Sequence, residues 1–324
     1  MPAPARLSGV LCPVVTPFNQ DLAPDPDRLV RQCRWLLSQG VGLAVFGTTG
    51  EGNSLSVEEK IGLLDRLADA GIDMSRLMPG TGCCAAGDTV RLTRHAVDLG
   101  CAGVLMLPPF YYKAVSDDGL FASYAGVIER VASERLRVYL YHIPPVAQVG
   151  VSLDLVERLV KRYPETVVGI KDSSGDWDNT RAMLERRWDD FRVFAGSETF
   201  LLRTLQQGGA GCISATANIN AAAMHRLFTS WRGGQANAGQ ERLDTLRRVV
   251  QGYPMIPALK AVLAAHGNDA AWATVRPPLV ALGSEQKRSL LAALEAHGLD
   301  MPGLPGRCRE PVVQVAPLQE ATTK

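Results

Sequence analysis

Short apolar runs, rich in β-branched residues, alternate along this chain with longer stretches whose apolar positions return every three or four residues. The short runs predict strands over Gly9–Val15, Leu43–Gly47, Leu77–Gly80, Gly103–Leu107, Val138–Ile143, Val167–Lys171, Val193–Gly196 and Gly211–Ser214. The amphipathic stretches between them predict helices over Asp27–Gln39, Val57–Ala70, Asp88–Leu99, Asp118–Ala132, Leu153–Arg162, Trp177–Arg186, Glu198–Gln207 and Ala221–Trp231. Ser56 and Ser152 stand where an N-cap belongs, and Gly40, Gly71 and Gly100 where a helix closes.

Strict alternation of strand and helix implies a parallel sheet covered by helices, and eight such units fit a closed (β/α)8 TIM barrel. The rival is an open doubly wound sheet. That fold places a glycine-rich fingerprint after its first strand, whereas this chain has Thr16-Pro17-Phe18-Asn19. From Gly233 the strand signals stop, and Glu241–Val250, Ile256–Ala265 and Glu285–His297 read as a three-helix extension. The expected domains are a barrel over 1–232, a helical domain over 233–302 and an extended or disordered tail over 303–324.

Composition narrows the class. Apolar content of 46% and charged content of 21% are those of a globular protein, and a net charge of +1 gives no pull towards nucleic acid or membranes. No apolar run is long enough to span a bilayer, and the N-terminus lacks the pattern of a signal peptide. Seven cysteines, an odd number without C-x-x-C spacing, point to a reducing cytoplasm rather than a disulfide framework. Five histidines, four of them in helices or at helix ends, form no cluster with acidic residues, so neither a catalytic metal nor another cofactor is expected. His142 alone would fit a metal-dependent aldolase.

The chemistry is expected where the strands end, at the C-terminal mouth of the barrel. Lys171 closes the strand Val167–Lys171, while the other six lysines lie in helical, loop or tail contexts. A lysine placed there is costly unless its amine has a task, and a desolvated amine is a nucleophile towards carbonyls. Tyr141, on the preceding strand, offers either a proton carrier or a core aromatic with a satisfied hydroxyl. Gly47-Thr48-Thr49-Gly50 reads either as a carboxylate-binding nest or as a plain βα turn. Taken together, amine, phenol and threonine turn match Schiff-base chemistry on a 2-oxo acid such as pyruvate. Asp172 alternates to the other face of its strand and reads as structural; Gly208-Gly209-Ala210-Gly211 precedes its strand and reads as a turn.

With these residues in view, the chain resembles the dihydrodipicolinate synthase / N-acetylneuraminate lyase family of class I aldolases, from about Gly9 to His297. The resemblance rests on Gly-Thr-Thr-Gly-Glu at 47–51, Tyr-His-Ile-Pro at 141–144, Gly-Ile-Lys-Asp-Ser-Ser at 169–174, Gly-Cys-Ile-Ser-Ala-Thr-Ala-Asn at 211–218 and the segment Pro254–Lys260. It implies a barrel with a C-terminal helical domain, assembled as a homotetramer of two dimers. It implies a metal-independent lyase in which Lys171 forms the Schiff base and Tyr141 relays protons. Thr48 and Thr49, with Gly47 in the same turn, would hold the pyruvate carboxylate, and Thr48 would also join the relay. Tyr112, with the neighbouring Tyr111 as the other candidate, would reach across the dimer interface to complete that relay. Ile213 falls where the family sets a backbone carbonyl near pyruvate.

The chain departs from the synthase pattern at Val146, where an arginine would grip the carboxylate of aspartate semialdehyde, and at His142, where asparagine is common. Ser197, Glu198 and Gln148 are the candidates to meet the tail of the second substrate. The expected function is therefore a Schiff-base lyase or aldolase joining pyruvate, or another 2-oxo acid, to an aldehyde, or cleaving the adduct. The alternatives are an authentic 4-hydroxy-tetrahydrodipicolinate synthase, a 2-keto-3-deoxy sugar acid aldolase or dehydratase, and a non-catalytic 2-oxo acid-binding barrel.

Overall fold

The structure, a computed structural model, describes residues 4–306. Seven parallel strands form one sheet: β1 (Gly9–Cys12), β2 (Gly42–Leu43), β3 (Val104–Met106), β4 (Val138–His142), β5 (Val167–Asp172), β6 (Arg192–Ala195) and β7 (Gly211–Ile213). Their order is β2-β1-β7-β6-β5-β4-β3, so the two edges left to meet are β2 and β3. Residues 77–80 close that gap through parallel bridges from Leu77 to Leu43 and from Gly80 to Leu105. The Met78 N–H donates to the Leu43 carbonyl, and the Leu105 N–H to that of Pro79. Pro79 has no N–H to give, which is why the predicted strand Leu77–Gly80 pairs at isolated points rather than as a continuous ladder. The ring is thus eight-membered, and the expected (β/α)8 barrel is the fold.

Other strands end earlier than periodicity predicts. In Gly9–Val15 the ladder stops at Cys12, because Pro13 follows. Asn218 takes over there: its side-chain carbonyl accepts from the Val15 N–H at 3.0 Å and its amide donates to the Pro13 carbonyl at 3.0 Å. Leu43–Gly47 leaves the sheet after Leu43 and turns at Phe46, which adopts a left-handed φ of 62°. The helix expected over Glu198–Gln207 is a 3₁₀ turn, Glu198–Phe200, followed by a short helix, Leu201–Gln206. The helix expected from Ala221 begins at Ala217, with Asn220 non-helical near its start. The caps read from sequence are in place: Ser56 forms a full capping box with Glu59, Ser152 accepts from the Leu155 N–H, and Gly40, Gly71 and Gly100 have φ of 87°, 72° and 83°.

Alternation along each strand divides the core in two. Leu11, Ala44, Met78, Leu105, Tyr139 and Phe194 fill the barrel, whereas Val10, Cys12, Val104, Leu140 and Ile170 pack outward under the helices. Tyr139 sits low in the barrel between two glycines. A Cβ on Gly103 would lie 2.7 Å from its ring, and one on Gly169 2.5 Å. Its hydroxyl accepts the Leu7 N–H at 2.7 Å, so the N-terminal segment and the ring together fill the base.

After the barrel come helices Ala236–Gln251, Met255–His266 and Ser284–Ala296. They are fastened to the mouth by a buried ion pair between Lys260 and Glu51, with Glu51 also accepting the Arg276 N–H at 3.0 Å. Among the described residues no helix is long and apolar enough to cross a membrane. The tail expected over 303–324 lies outside the described residues from 307 onward.

Candidate active site

Parallel pairing of β4 with β5 sets Tyr141 directly beside Lys171 and His142 beside Asp172. Period-two alternation then sends the first pair into the barrel and the second outward. Lys171 is 4% exposed, and its Nζ donates to the Tyr141 hydroxyl at 3.3 Å and lies 4.4 Å from the centre of that ring. The same hydroxyl is 3.2 Å from Oγ1 of Thr48. Amine, phenol and alcohol therefore form one chain of exchangeable protons, assembled from β5, β4 and the turn after β2. No carboxylate of the described residues bridges to Lys171, so its amine is not locked as half of an ion pair.

The turn is held from behind. Gly50 gives its carbonyl to the Thr16 hydroxyl at 2.6 Å, and the Gly52 N–H donates to the Gly47 carbonyl at 3.1 Å. The N–H groups of Thr48 and Thr49 donate to no backbone carbonyl among the described residues, which suits an anion. Gly47 contributes its backbone to this turn, while Thr48 and Thr49 line the cavity. That cavity has a volume of about 390 Å³ and also takes in Lys171, Tyr141, Ile213 and Ser197.

Two expected contacts fall elsewhere. Tyr112 is 74% exposed and stacks edge-on with Tyr111 at 5.3 Å, and it does not line that cavity. Glu198 is 1% exposed and does not line the cavity. Its two carboxylate oxygens take the hydroxyls of Ser214 and Thr216, and Arg247 stands 3.3 Å away. The expectation that Glu198 meets a substrate tail is therefore corrected: it sits behind the wall and holds Arg247. Gln148 likewise opens on a neighbouring cleft, not on this one. Val146 lines the mouth, as its position after the tyrosine motif implied.

Asp172 and His142 share the outer face. Asp172 accepts from the Thr180 hydroxyl at 2.6 Å and from the Ser174 N–H at 2.9 Å, a fixed structural role. His142 accepts the Val151 N–H on Nδ1 at 2.9 Å, which requires the neutral ring, and burial holds its pKa below the ordinary value against the opposing charge of Asp172.

Sequence reasoning missed Arg247. It reaches the cavity from helix Ala236–Gln251, beside Gln251 and Met255. The signal was present: Leu243, Leu246 and Val250 form the buried stripe of that helix, and Arg247 falls on it at helical spacing. An arginine on an apolar stripe faces something other than bulk water.

The fold recurs in known proteins. A curated relative from Chloroflexus aurantiacus, named as an uncharacterized DapA-like lyase, is 34% identical over 294 residues, covering 90% of this chain and 97% of the relative. The solved dihydrodipicolinate synthase of Agrobacterium tumefaciens is 32% identical with a TM-score of 0.83, over 90% of this chain and 99% of that one. YagE of Escherichia coli K12, solved with pyruvate and described as a member of the dihydrodipicolinic acid synthase family, is 27% identical with a TM-score of 0.83, over 91% and 100%. The profile of the Dihydrodipicolinate synthetase family matches residues 6–297, and the chain belongs to that family.

Proposed function

We propose that this protein is a pyruvate-dependent, Schiff-base-forming lyase or aldolase. The observation that carries the reading is the buried amine of Lys171 facing a phenol and, among the described residues, no carboxylate. The relative solved with pyruvate supports pyruvate as the first substrate. Lys171 Nζ adds to the C2 carbonyl, and loss of water, with a proton supplied through Tyr141, leaves an iminium. The iminium draws electrons from the adjacent carbon, which loses a proton and becomes an enamine. The enamine carbon bonds to the aldehyde carbon while the aldehyde oxygen takes a proton. Water then hydrolyses the iminium, freeing product and lysine, and cleavage runs the same steps backwards. Because the iminium is itself the electron sink, the scheme needs no metal.

Thr48 and Thr49 hold the pyruvate carboxylate in this reading, through hydroxyls and unpaired backbone N–H groups. Val146 in place of an arginine favours an aldehyde other than aspartate semialdehyde, or one held differently. The exposed Tyr112 suits a contact with a second copy, so we assign a homotetramer in which Tyr112 completes the relay of a neighbour. The cytoplasm is the compartment this reading assigns, consistent with free, buried Cys12, Cys33, Cys101 and Cys212.

Borohydride added with pyruvate should attach one reduced adduct, and peptide mass analysis should place it on Lys171. An adduct on another lysine, or none, would overturn the reading.

A further inference from the structure

We propose that Arg247 recognises a carboxylate at the far end of the acceptor aldehyde, so that the helical domain rather than a barrel loop selects the second substrate. The inference rests on the reading of Lys171 as the pyruvate carrier. Arg247 is the only cation among the cavity-lining residues besides Lys171, and Lys171 is committed to the first substrate. The loop position nearest the mouth is held by apolar Val146, which offers no hydrogen bond.

Arg247 has donors to spare. Its Nη1 meets Glu198 at 3.3 Å and the Ser214 hydroxyl at 3.4 Å, while its Nε is buried with no partner and its Nη2 has none among the described residues. Glu198 does not use up the arginine. Its carboxylate is already served by the hydroxyls of Ser214 and Thr216, and it approaches one end nitrogen rather than the two-pronged edge. Glu198 thus steadies the guanidinium through Nη1 and leaves Nη2 to donate to a carboxylate, whose charge the guanidinium complements. The cavity is then lined by two anion sites, Thr48-Thr49 and Arg247, together with the reacting amine. Its complement is a 2-oxo acid extended into a dicarboxylate.

The test uses two arms on the full chain. In the first, glutarate and butyrate are titrated calorimetrically; neither has a carbonyl for Lys171, so this arm is independent of Schiff-base chemistry. Wild type should bind glutarate at least about tenfold more tightly than butyrate, and Arg247→Met and Arg247→Gln should both erase that preference. In the second, succinic semialdehyde and butyraldehyde compete as acceptors for pyruvate. Either variant should raise the KM for succinic semialdehyde at least about tenfold more than it changes the KM for butyraldehyde, and still be trapped by borohydride with pyruvate; Arg247→Lys should recover part of the loss. Preference for the carboxylated ligand that survives in both variants, or is absent from wild type, would overturn the proposal. Failure of trapping in wild type with the calorimetric preference intact would instead overturn the Schiff-base reading and leave the arginine assignment standing.

Discussion

Of the three buried lysines among the described residues, Lys60, Lys171 and Lys260, the last two do opposite things. Lys171, in the barrel mouth, is 4% exposed; Lys260, at the seam between barrel and helical domain, is fully buried. By burial alone Lys260 would be the better candidate nucleophile, and burial does lower its pKa to about 8, against the opposing charge of Glu51. Their neighbours separate them. Lys260 is bonded to the Glu51 carboxylate and, at 2.8 Å, to the Thr274 carbonyl, and it lies 4.3 Å from the ring centre of Phe18. Its donors are occupied, so it acts as a rivet. Lys171 has one hydroxyl partner and opens on a cavity. Burial makes an amine costly; the absence of a carboxylate partner makes it usable.

The largest effect that would break this contrast is at Lys171. Lys171→Ala should abolish pyruvate trapping and lower turnover by about 10⁴-fold, roughly 5.5 kcal/mol of barrel-mouth chemistry, with the melting temperature held or raised. A comparable loss of stability would mean Lys171 is a rivet too. Next is Lys260→Met, which strands the Glu51 charge and should cost about 3–5 kcal/mol in urea unfolding. Adding Glu51→Leu should recover most of that cost, and if the single variant loses under about 1 kcal/mol the pair is not holding the domains together. Tyr141→Phe keeps the ring over Lys171 but removes the proton carrier, and should lower kcat by about 10²-fold with trapping slowed rather than lost.

The smallest effect concerns His142, the residue that pairs with Asp172 beside Tyr141 and Lys171. Its folded-state pKa lies below the ordinary 6.5, chiefly through burial. Above 6.5 neither folded nor unfolded chain carries the proton, and the full stability is present. As the pH falls below 6.5 the unfolded chain takes up a proton that the folded ring resists, so stability declines until the folded ring titrates as well. Unfolding midpoints measured from about pH 7 down to pH 5 should show this slope, and His142→Asn should flatten it.

The barrel and the Lys171–Tyr141 pair were legible because they rest on local rules. A period of two fixes which strand residues share a face, and Tyr141 and Lys171 come from consecutive strands whose register needs only parallel pairing. What stayed hidden depends on distant partners. Nothing near Lys260 in the sequence signals Glu51, 209 residues away, so the lysine reads as one more helical charge. Glu198 has the composition of a substrate contact, and only the fold shows Ser214, Thr216 and Arg247 closing around it. Pro13 and Pro79 each cost a ladder bond and shortened strands that hydrophobicity alone extends.

The Tyr139 ring wedged between Gly103 and Gly169 has a consequence for traffic. A tube stoppered at one end has a single door, and whatever enters first is deepest. On the proposed chemistry at Lys171, the 2-oxo acid would be seated before the aldehyde arrives, since an aldehyde lodged above Lys171 would bar its way. In cleavage the aldehyde must depart before the keto acid can. That order of arrivals and departures would then be written into a floor tile, two residues upstream of Tyr141.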